Sequence, residues 1–246
     1  MKRDVYNRVV EALDQMEFDF RPCVRQLVEL FPEEDEAVLR SVTAQQWQKQ
    51  IKRVDGRMKS PQQKAEVFAE FLKARDENKR RVGASSVVCD MAKRLKYSPV
   101  LLSKIILVEF LKSKNIEATR EQISDFMRCP FKIPDKFLAV EVYFCRVRDD
   151  QYGHYSEAIK HFTGEEHETK IKIKCQELGL SYRDEKVLRD KGYDKTPDIL
   201  LDVPIAVNGR AVNWIESKAL FGDDDAHKNY LRDQGLHHKP DTCHVL

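Results

Sequence analysis

The chain has 246 residues, of which 41% are hydrophobic and 34% are charged. This composition is typical of a folded protein with a heavily charged surface, and it excludes an intrinsically disordered chain. There is no run of about 18 apolar residues, so we expect no membrane-spanning segment and no membrane partner. The formal net charge is +2. It argues neither for nor against nucleic acid as a ligand, because binding depends on how charges cluster on one face.

The start of the chain and the cysteines both favour an intracellular protein. Residues 1–6 lack the apolar stretch of a secretory signal. The six cysteines contain no Cys-x-x-Cys pair, which favours reduced, semi-buried thiols over a disulfide framework or a zinc site. Basic residues cluster at 49–64 and at 79–81. Each cluster is interpreted either as a solvated helix face or as a set of phosphate contacts.

Apolar residues recur every three or four positions from the start of the chain to about residue 160, which predicts a region that is helical throughout. Pro22 is placed in the first turn of a second helix, and Pro32 is placed to stop it. Pro61 and the basic stretch around Gly56 predict a loop or a boundary.

Residues 85–113 predict two helices joined by a short turn, a pattern that resembles a helix-turn-helix. Ser98 is a suitable N-cap for the second helix and Pro99 a suitable first residue. In a DNA reader the second helix would present polar side chains to base edges. Few are available here, so Lys104 and Lys112 are the candidate nucleic-acid contacts. The competing interpretation is a helical bundle or a protein-docking surface.

The pattern changes near residue 165. A helix is predicted to open at Gly164 and to end at Gly179. A short strand at 180–182 and a helical turn closed by Gly192 follow. Two strands, 199–207 and 211–218, are then joined by the hairpin turn Asn208-Gly209. We therefore divide the chain into a helical region at 1–145, a second domain at 146–234 and a divergent tail at 235–246.

Polar side chains gather at one end of this hairpin. Glu216 and Lys218 are two residues apart, so their side chains leave the same face of the strand. Asp198 precedes the first strand and lies at the same end. Two converging carboxylates suit a hard divalent cation such as Mg²⁺. The alternative is a surface hairpin end, where Glu216 and Lys218 merely pair in water.

These motifs carry a resemblance to a known family. Pro197-Asp198 followed by Glu216-Ser217-Lys218 across a hairpin resembles the PD-(D/E)XK nuclease motif, and the helix opened by Gly164 is similar to one in Holliday-junction-resolvase-like members. The wider stretch from Lys191 to about Gln234 resembles the codanin-interacting nuclease family. The resemblance implies an α+β fold: a helical N-terminal region with helix-turn-helix-like units, then a restriction-endonuclease-like αβββα core.

The resemblance also implies a function. It predicts a Mg²⁺- or Mn²⁺-dependent nuclease that hydrolyses phosphodiester bonds in DNA, with branched or structured DNA as a candidate substrate. It further predicts a codanin-like protein partner, residence in the nucleus and also the cytoplasm, and a link to erythroid differentiation. A non-catalytic adaptor that binds protein or DNA on the same scaffold is the alternative. A transcription regulator built on the helix-turn-helix units is a third interpretation.

The resemblance assigns a role to each site residue. Asp198 and Glu216 would ligate the metal, and Glu168 would be an additional acid that binds the metal or its water, with Glu166 as runner-up. Lys218 would position the attacking water and stabilise charge on the phosphate.

Two features bear on whether this site forms. A regular two-residue turn at Asn208-Gly209 would place Leu201 opposite Glu216 and turn Asp198 to the wrong face. We therefore predict an irregular hairpin with a bulge at Pro204. In addition, the resemblance stops after Gln234, and the tail is interpreted as a truncated or alternative end that lacks the last strands of the core. The activity of this chain is left open on that account.

Overall fold

A computed structural model describes most of the chain, and its contacts form two compact units, Met1–Glu157 and the described residues from Ala158 onward. The sequence had placed this division after residue 145. The basic cluster at 79–81 and the tail at 235–246 lie outside the described residues. Those described are 1–17, 19–78, 86–194, 196–219, 221–224, 226 and 228.

The first unit is helical, as the apolar spacing predicted. Its helices are α1 (Arg3–Gln15), α2 (Phe20–Leu30), α3 (Glu36–Met58), α4 (Pro61–Asn78), α5 (Val87–Leu95), α6 (Pro99–Ser113), α7 (Arg120–Arg128) and α8 (Lys136–Arg148), with a 3₁₀ turn at Pro130–Lys132.

The loop or boundary predicted before Pro61 is present but shorter than expected, because α3 continues through Gly56 to Met58. A mid-helix glycine costs only about 0.5–1 kcal/mol relative to alanine. Burial of Ile51 and Met58, which are 2% and 1% exposed, favours continuing the helix over breaking it. The break is confined to Lys59 and Ser60, just before Pro61.

Helix α6 lies at the centre of the first unit. It packs against α4, α5, α7 and α8, and Leu102, Ile106 and Leu107 are fully buried. Lys104 and Lys112 are exposed, and Lys112 Nζ pairs with Glu109 Oε1 at 2.8 Å. The short turn before α6 contains Lys96 with a left-handed φ of 50°. The unit is thus a helical bundle containing a tight helical pair, and DNA contact through Lys104 and Lys112 stays a prediction.

A buried carboxylate lies at the start of each of the two helices α5 and α6. One comes from α8, and the other comes from the residue that ends α8. Glu141 Oε2 accepts hydrogen bonds from the Ser86 hydroxyl and the Val88 amide at 2.7 and 2.9 Å. Asp149 Oδ2, at the end of α8, accepts from the Ser98 hydroxyl and the Val100 amide. The first amides of a helix have no partner within the helix and favour negative charge. These contacts therefore tie α5 and α6 to α8.

The second unit contains most of α9 (His154–Glu177), then β1 (Tyr182–Asp184), α10 (Glu185–Asp190), β2 (Ile199–Val207) and β3 (Arg210–Ile215). The strands form an antiparallel sheet in the order β1-β2-β3. Helix α9 begins at His154, ten residues before the predicted start at Gly164. Gly179 and Gly192 have positive φ of 66° and 81° just after α9 and α10, which confirms both predicted helix ends.

A small core joins α9 to the sheet. Cys175 on α9 is buried against Ile199, Leu201 and Val212 of the hairpin, and Ile171 packs at its edge. The α+β class is therefore confirmed. The assignment of this helix and sheet to a PD-(D/E)XK core stays a prediction. Within the described ranges, no helix is both long enough and apolar enough to span a bilayer.

Candidate active site

The hairpin of β2 and β3 is irregular, as predicted. Asn208 and Gly209 both have left-handed φ, 51° and 75°, which is the backbone of a type I′ turn. The turn pairs Val207 with Arg210, and the ladder continues to the pair Ile205 and Val212. The register then shifts before Leu200, which pairs with Trp214. Four residues of β2, including Pro204, therefore lie opposite the single residue Asn213.

This irregularity determines which polar residues become neighbours. Beyond it the ladder ends with Ile199 opposite Ile215. Just beyond this pair lie Asp198, which precedes β2, and Glu216, which follows β3. An odd shift in register changes the face on which each side chain lies, so the extra β2 residues bring these two acids, which are at the same end of the hairpin in any register, to the same face as well.

Strand β3 is shorter than predicted. It ends at Ile215, and Glu216–Lys218 follow it without ladder pairing. The opposing segment contains Pro197, which cannot donate a ladder hydrogen bond. Ser217 instead donates its backbone N–H to Asp198 Oδ2 at 2.6 Å. This contact connects the two halves of the predicted motif directly.

Glu216 and Lys218 lie on the same side of this segment. Lys218 Nζ is 2.5 Å from Glu216 Oε1, and the side chains are 37% and 11% exposed, respectively. Glu216 is therefore largely withdrawn from solvent, and Lys218 supplies the positive charge beside it. The pair is compatible both with a structural ion pair and with a catalytic pair that opens when a cation or a phosphate enters.

Glu168 approaches this end of the hairpin from α9. It lies seven residues before Cys175, on the stripe that faces the sheet. Burial raises the pKa of Glu168 above its ordinary value, and the negative charge of Asp198 raises it further, whereas Lys172 lowers it. Glu166, in contrast, pairs along the helix with Lys170 at 2.7 Å. Of the two acids considered on this helix, Glu168 is the one whose pKa responds to Asp198.

One acid beside the site was not anticipated from the sequence. Glu185, the first residue of α10, accepts a hydrogen bond from Thr196 Oγ1 at 3.3 Å, and its charge also raises the pKa of Glu168. It forms an ion pair with Arg189 at 2.5 Å. Glu185 stands in a run of charged residues that resembles any exposed helix start, so only the tertiary fold reveals its position.

Comparison with known proteins gives close relatives. A family model described as a protein of unknown function with a TPD sequence motif matches residues 134–240. Proteins named CDAN1-interacting nuclease 1 from Bos taurus and Homo sapiens are each 40% identical over 215 residues, which is 87% of this chain and 75% of each relative. The Danio rerio protein of that name is 38% identical over 233 residues, 94% of the chain and 76% of the relative. The chain belongs to the CDAN1-interacting nuclease family.

Membership confirms the resemblance to codanin-interacting nucleases found in the sequence. The family model is named for a Thr-Pro-Asp motif, and this chain contains that tripeptide once, at Thr196-Pro197-Asp198. In the structure its threonine contacts Glu185 and its aspartate holds the Ser217 amide. No solved structure matches the chain.

The site residues suit a hard divalent cation. Asp198, Glu216 and Glu168 offer carboxylate oxygens, the ligands that Mg²⁺ prefers. Burial raises the pKa of Glu168 most, and the charge of Asp198 adds to it; a bound cation would favour the charged form of both acids. Within the described part of the chain, no three acidic, histidine or cysteine side chains are grouped closely enough to hold one ion. Mg²⁺ needs only one or two carboxylates when waters and a substrate phosphate complete its shell, so the donor set fits.

Proposed function

We propose that this chain is a metal-dependent nuclease that hydrolyses phosphodiester bonds in DNA and acts together with a CDAN1-like partner. The observation that carries the proposal is the position of Asp198 and Glu216. An irregular hairpin brings them into register, the Ser217 amide fixes Asp198, and Glu168 lies close enough for Asp198 to affect its pKa. The names of the relatives, which describe a nuclease that interacts with CDAN1, support both halves of the proposal.

Each side chain has a distinct task in this mechanism. Asp198 and Glu216 would hold Mg²⁺ or Mn²⁺, which when bound polarises a phosphoryl oxygen and lowers the pKa of a bound water. Glu168 accepts a hydrogen bond from the attacking water and receives its proton, a role suited to a carboxylate with a raised pKa. Lys218 leaves Glu216 and donates to the phosphate oxygen on which charge develops. As the water oxygen bonds to phosphorus, the P–O bond to the leaving sugar oxygen breaks, and that oxygen takes a proton from solvent water. Ser217 keeps Asp198 oriented through its amide.

A non-catalytic adaptor is the second candidate. Glu216 is engaged by Lys218, and no group of three metal-binding side chains is found among the described residues. In this case the chain would bind its protein partner or DNA without cutting DNA. Both candidates predict partner binding, so metal binding and cleavage distinguish them.

Calorimetry with Mg²⁺ on the full chain and on Glu216→Ala is the first test. Binding that disappears in the variant supports the metal site, whereas no binding by a folded wild-type chain supports the adaptor. Cleavage of single-stranded, flap and four-way-junction DNA follows, with Asp198→Ala compared with Asp202→Ala. Asp202 is the matched control because it is an aspartate in β2 that pairs instead with Arg183, at 2.9 Å.

The nuclease proposal expects cleavage to fall by a factor of about 10² or more in Asp198→Ala and to persist in Asp202→Ala. Cleavage that survives in Asp198→Ala, or that needs no divalent cation, would contradict it. We also propose residence in the nucleus and the cytoplasm, which cell fractionation tests directly. A chain found wholly outside the nucleus would contradict the nuclear part.

A further inference from the structure

Helix α8, in the first unit, exposes a row of large apolar side chains. Val140, Tyr143, Phe144 and Val147 follow the spacing i, i+3, i+4, i+7 and are 48%, 44%, 37% and 39% exposed. Phe131, from the 3₁₀ turn before α8, extends the row, because its ring lies 6.2 Å from that of Tyr143. These five residues are called the α8 stripe.

The α8 stripe is separate from the core of the unit. The other side of α8 is already buried through Leu138, Val142 and Cys145, each fully enclosed. A helix with apolar residues on both faces is normally covered on both. A contiguous exposed apolar patch with this helical spacing marks an interaction surface rather than a collection of scattered side chains.

The rim of the α8 stripe is positively charged. Lys136 precedes it, Arg146 flanks Tyr143 three residues later along the helix, and Arg148 lies over the Phe144 ring at 5.2 Å. Within the described ranges these three cations form no ion pair; Arg146 donates only to a backbone carbonyl. Glu141, the one acid within α8, points inward and is 4% exposed. Arg148 shares a pocket with Asp19, Asp90, Asp149 and Asp150, but Asp149 is buried and Asp150 pairs with Arg21. None of the described acids forms an ion pair with the rim, so its cations are available to a partner.

We propose that the α8 stripe is the docking surface for an amphipathic helix of the protein partner, with acidic residues beside its apolar face. The apolar spacing matches a partner helix lying along α8, and the acids would pair with the cations at the rim. The inference deepens the partner half of the proposed function and rests on it, but it does not depend on the metal site.

Two other occupants fit the surface less well. Single-stranded nucleic acid stacks its bases on open aromatic faces. Phe131 is 84% exposed, but Val140 and Val147 are aliphatic and Arg148 covers a face of Phe144, so the stripe offers no continuous series of open rings. If two copies of this chain docked through their α8 stripes about a two-fold axis, the basic rim of one copy would face the basic rim of the other. Like charges opposed in this way disfavour that dimer.

The test measures binding of recombinant CDAN1 to the full chain. The apolar variant is Tyr143→Ala with Val147→Ala. Its control is Leu30→Ala, which also truncates an exposed apolar side chain, 57% exposed on α2. The charge variant is Arg148→Glu, and its control is Lys52→Glu on the exposed surface of α3. Thermal unfolding of each variant verifies the fold, and binding of fluorescent single-stranded DNA is measured in parallel.

We expect the apolar and charge variants each to weaken CDAN1 binding by about tenfold or more, and both controls to bind as the wild type does. Among overlapping CDAN1 peptides, those retained by the wild-type chain should be amphipathic and acidic. Unchanged CDAN1 binding in both variants would overturn the docking surface and leave the partner proposal intact. Loss of DNA binding in place of CDAN1 binding would identify a nucleic-acid surface instead. A wild-type chain that does not bind CDAN1 overturns the partner half of the proposed function, and this inference with it.

Discussion

The side chain of Asp198 and the backbone amide of Ser217 are joined by a 2.6 Å hydrogen bond across the end of the hairpin. Loss of a hydrogen bond to a charged group costs about 1.5–3 kcal/mol. We expect Asp198→Ala to release the Ser217 amide, so that its hydrogen exchange becomes faster. Asp198→Asn should keep the amide protected, since its side-chain carbonyl can still accept, while losing the charge needed for Mg²⁺. Equal exchange rates in the two variants would contradict this role.

Substitutions of Lys218 distinguish a catalytic role of this residue from a structural one. The Lys218 ammonium is 37% exposed, but the Glu216 carboxylate that it pairs with is only 11% exposed, and removing one partner of a largely buried pair leaves the other charge uncompensated. We therefore expect Lys218→Met to lower the melting temperature and, in assays run well below that temperature, to lower the DNA cleavage rate by a factor of about 10² or more. Lys218→Arg is the matched control that retains the charge, and it should recover part of the rate. A Lys218→Met protein that cleaves normally would show that the pair is structural.

The hairpin turn depends on the left-handed backbone of Gly209, whose φ is 75°. A Cβ added there would meet no atom within 4 Å, so substitution brings backbone strain without a clash. We expect Gly209→Ala to destabilise the second unit by about 1–2 kcal/mol. Gly164→Ala is the control, because Gly164 lies inside α9 with open space around it, and alanine there should stabilise by about 0.5–1 kcal/mol. Urea denaturation of both variants measures the contrast.

The first unit contains a partly buried hydrogen bond whose strength depends on pH. Asp55 Oδ1 accepts from Tyr97 Oη at 2.6 Å. The hydrogen bond from Lys59 lowers the pKa of Asp55 most, and the bond from Tyr97 lowers it further. A lowered pKa means that stability is present above the ordinary value of 3.8 and is lost as the pH falls through the lower, folded-state value.

We accordingly expect Tyr97→Phe to destabilise by about 1.5–3 kcal/mol at pH 7. The difference from wild type should shrink as the pH falls through the lowered, folded-state pKa of Asp55, because the carboxylate that accepts from Tyr97 is then protonated. Urea denaturation of both proteins, at pH 7 and at an acidic pH below the folded-state pKa of Asp55, measures this difference in stability. A difference that grows in acid would show that the bond does not favour the carboxylate.

Local signals in the sequence were sufficient for the first strand of the hairpin, for its turn and for its irregularity, but not for the end of β3. The β-prone run before Asn208-Gly209 predicted β2 with its observed bounds, Ile199–Val207. Counting alternate residues from that turn showed that Asp198 and Glu216 could meet only if the strand was irregular. Pro204 indicated where, and it lies within the shifted segment. Periodicity and turn chemistry are local properties, so a single sequence determines them.

The features that the sequence did not predict depend on tertiary contacts. No Ser, Thr, Asp or Asn stands just before His154, so the sequence does not indicate that α9 begins there. Gly164 is interpreted from the sequence as a helix start, but it is tolerated inside the helix. Glu185 joins the site only because α10 places it beside Thr196. The buried carboxylates of Glu141 and Asp149 appear in the sequence as ordinary acids within and just after a helix, because the serine hydroxyls that donate to them lie 55 and 51 residues away.

Those two carboxylates also restrict how the α5–α6 pair can meet DNA. The first amides of a helix are a natural site for a phosphate group, and helix-turn-helix proteins approach DNA with the start of their second helix. Here the Val100 amide and the Ser98 hydroxyl already donate to the buried Asp149. A phosphate at that position would have to expel a carboxylate from the interior and meet its negative charge. Any contact of this helix pair with DNA is therefore left to side-chain cations such as Lys104, farther along α6.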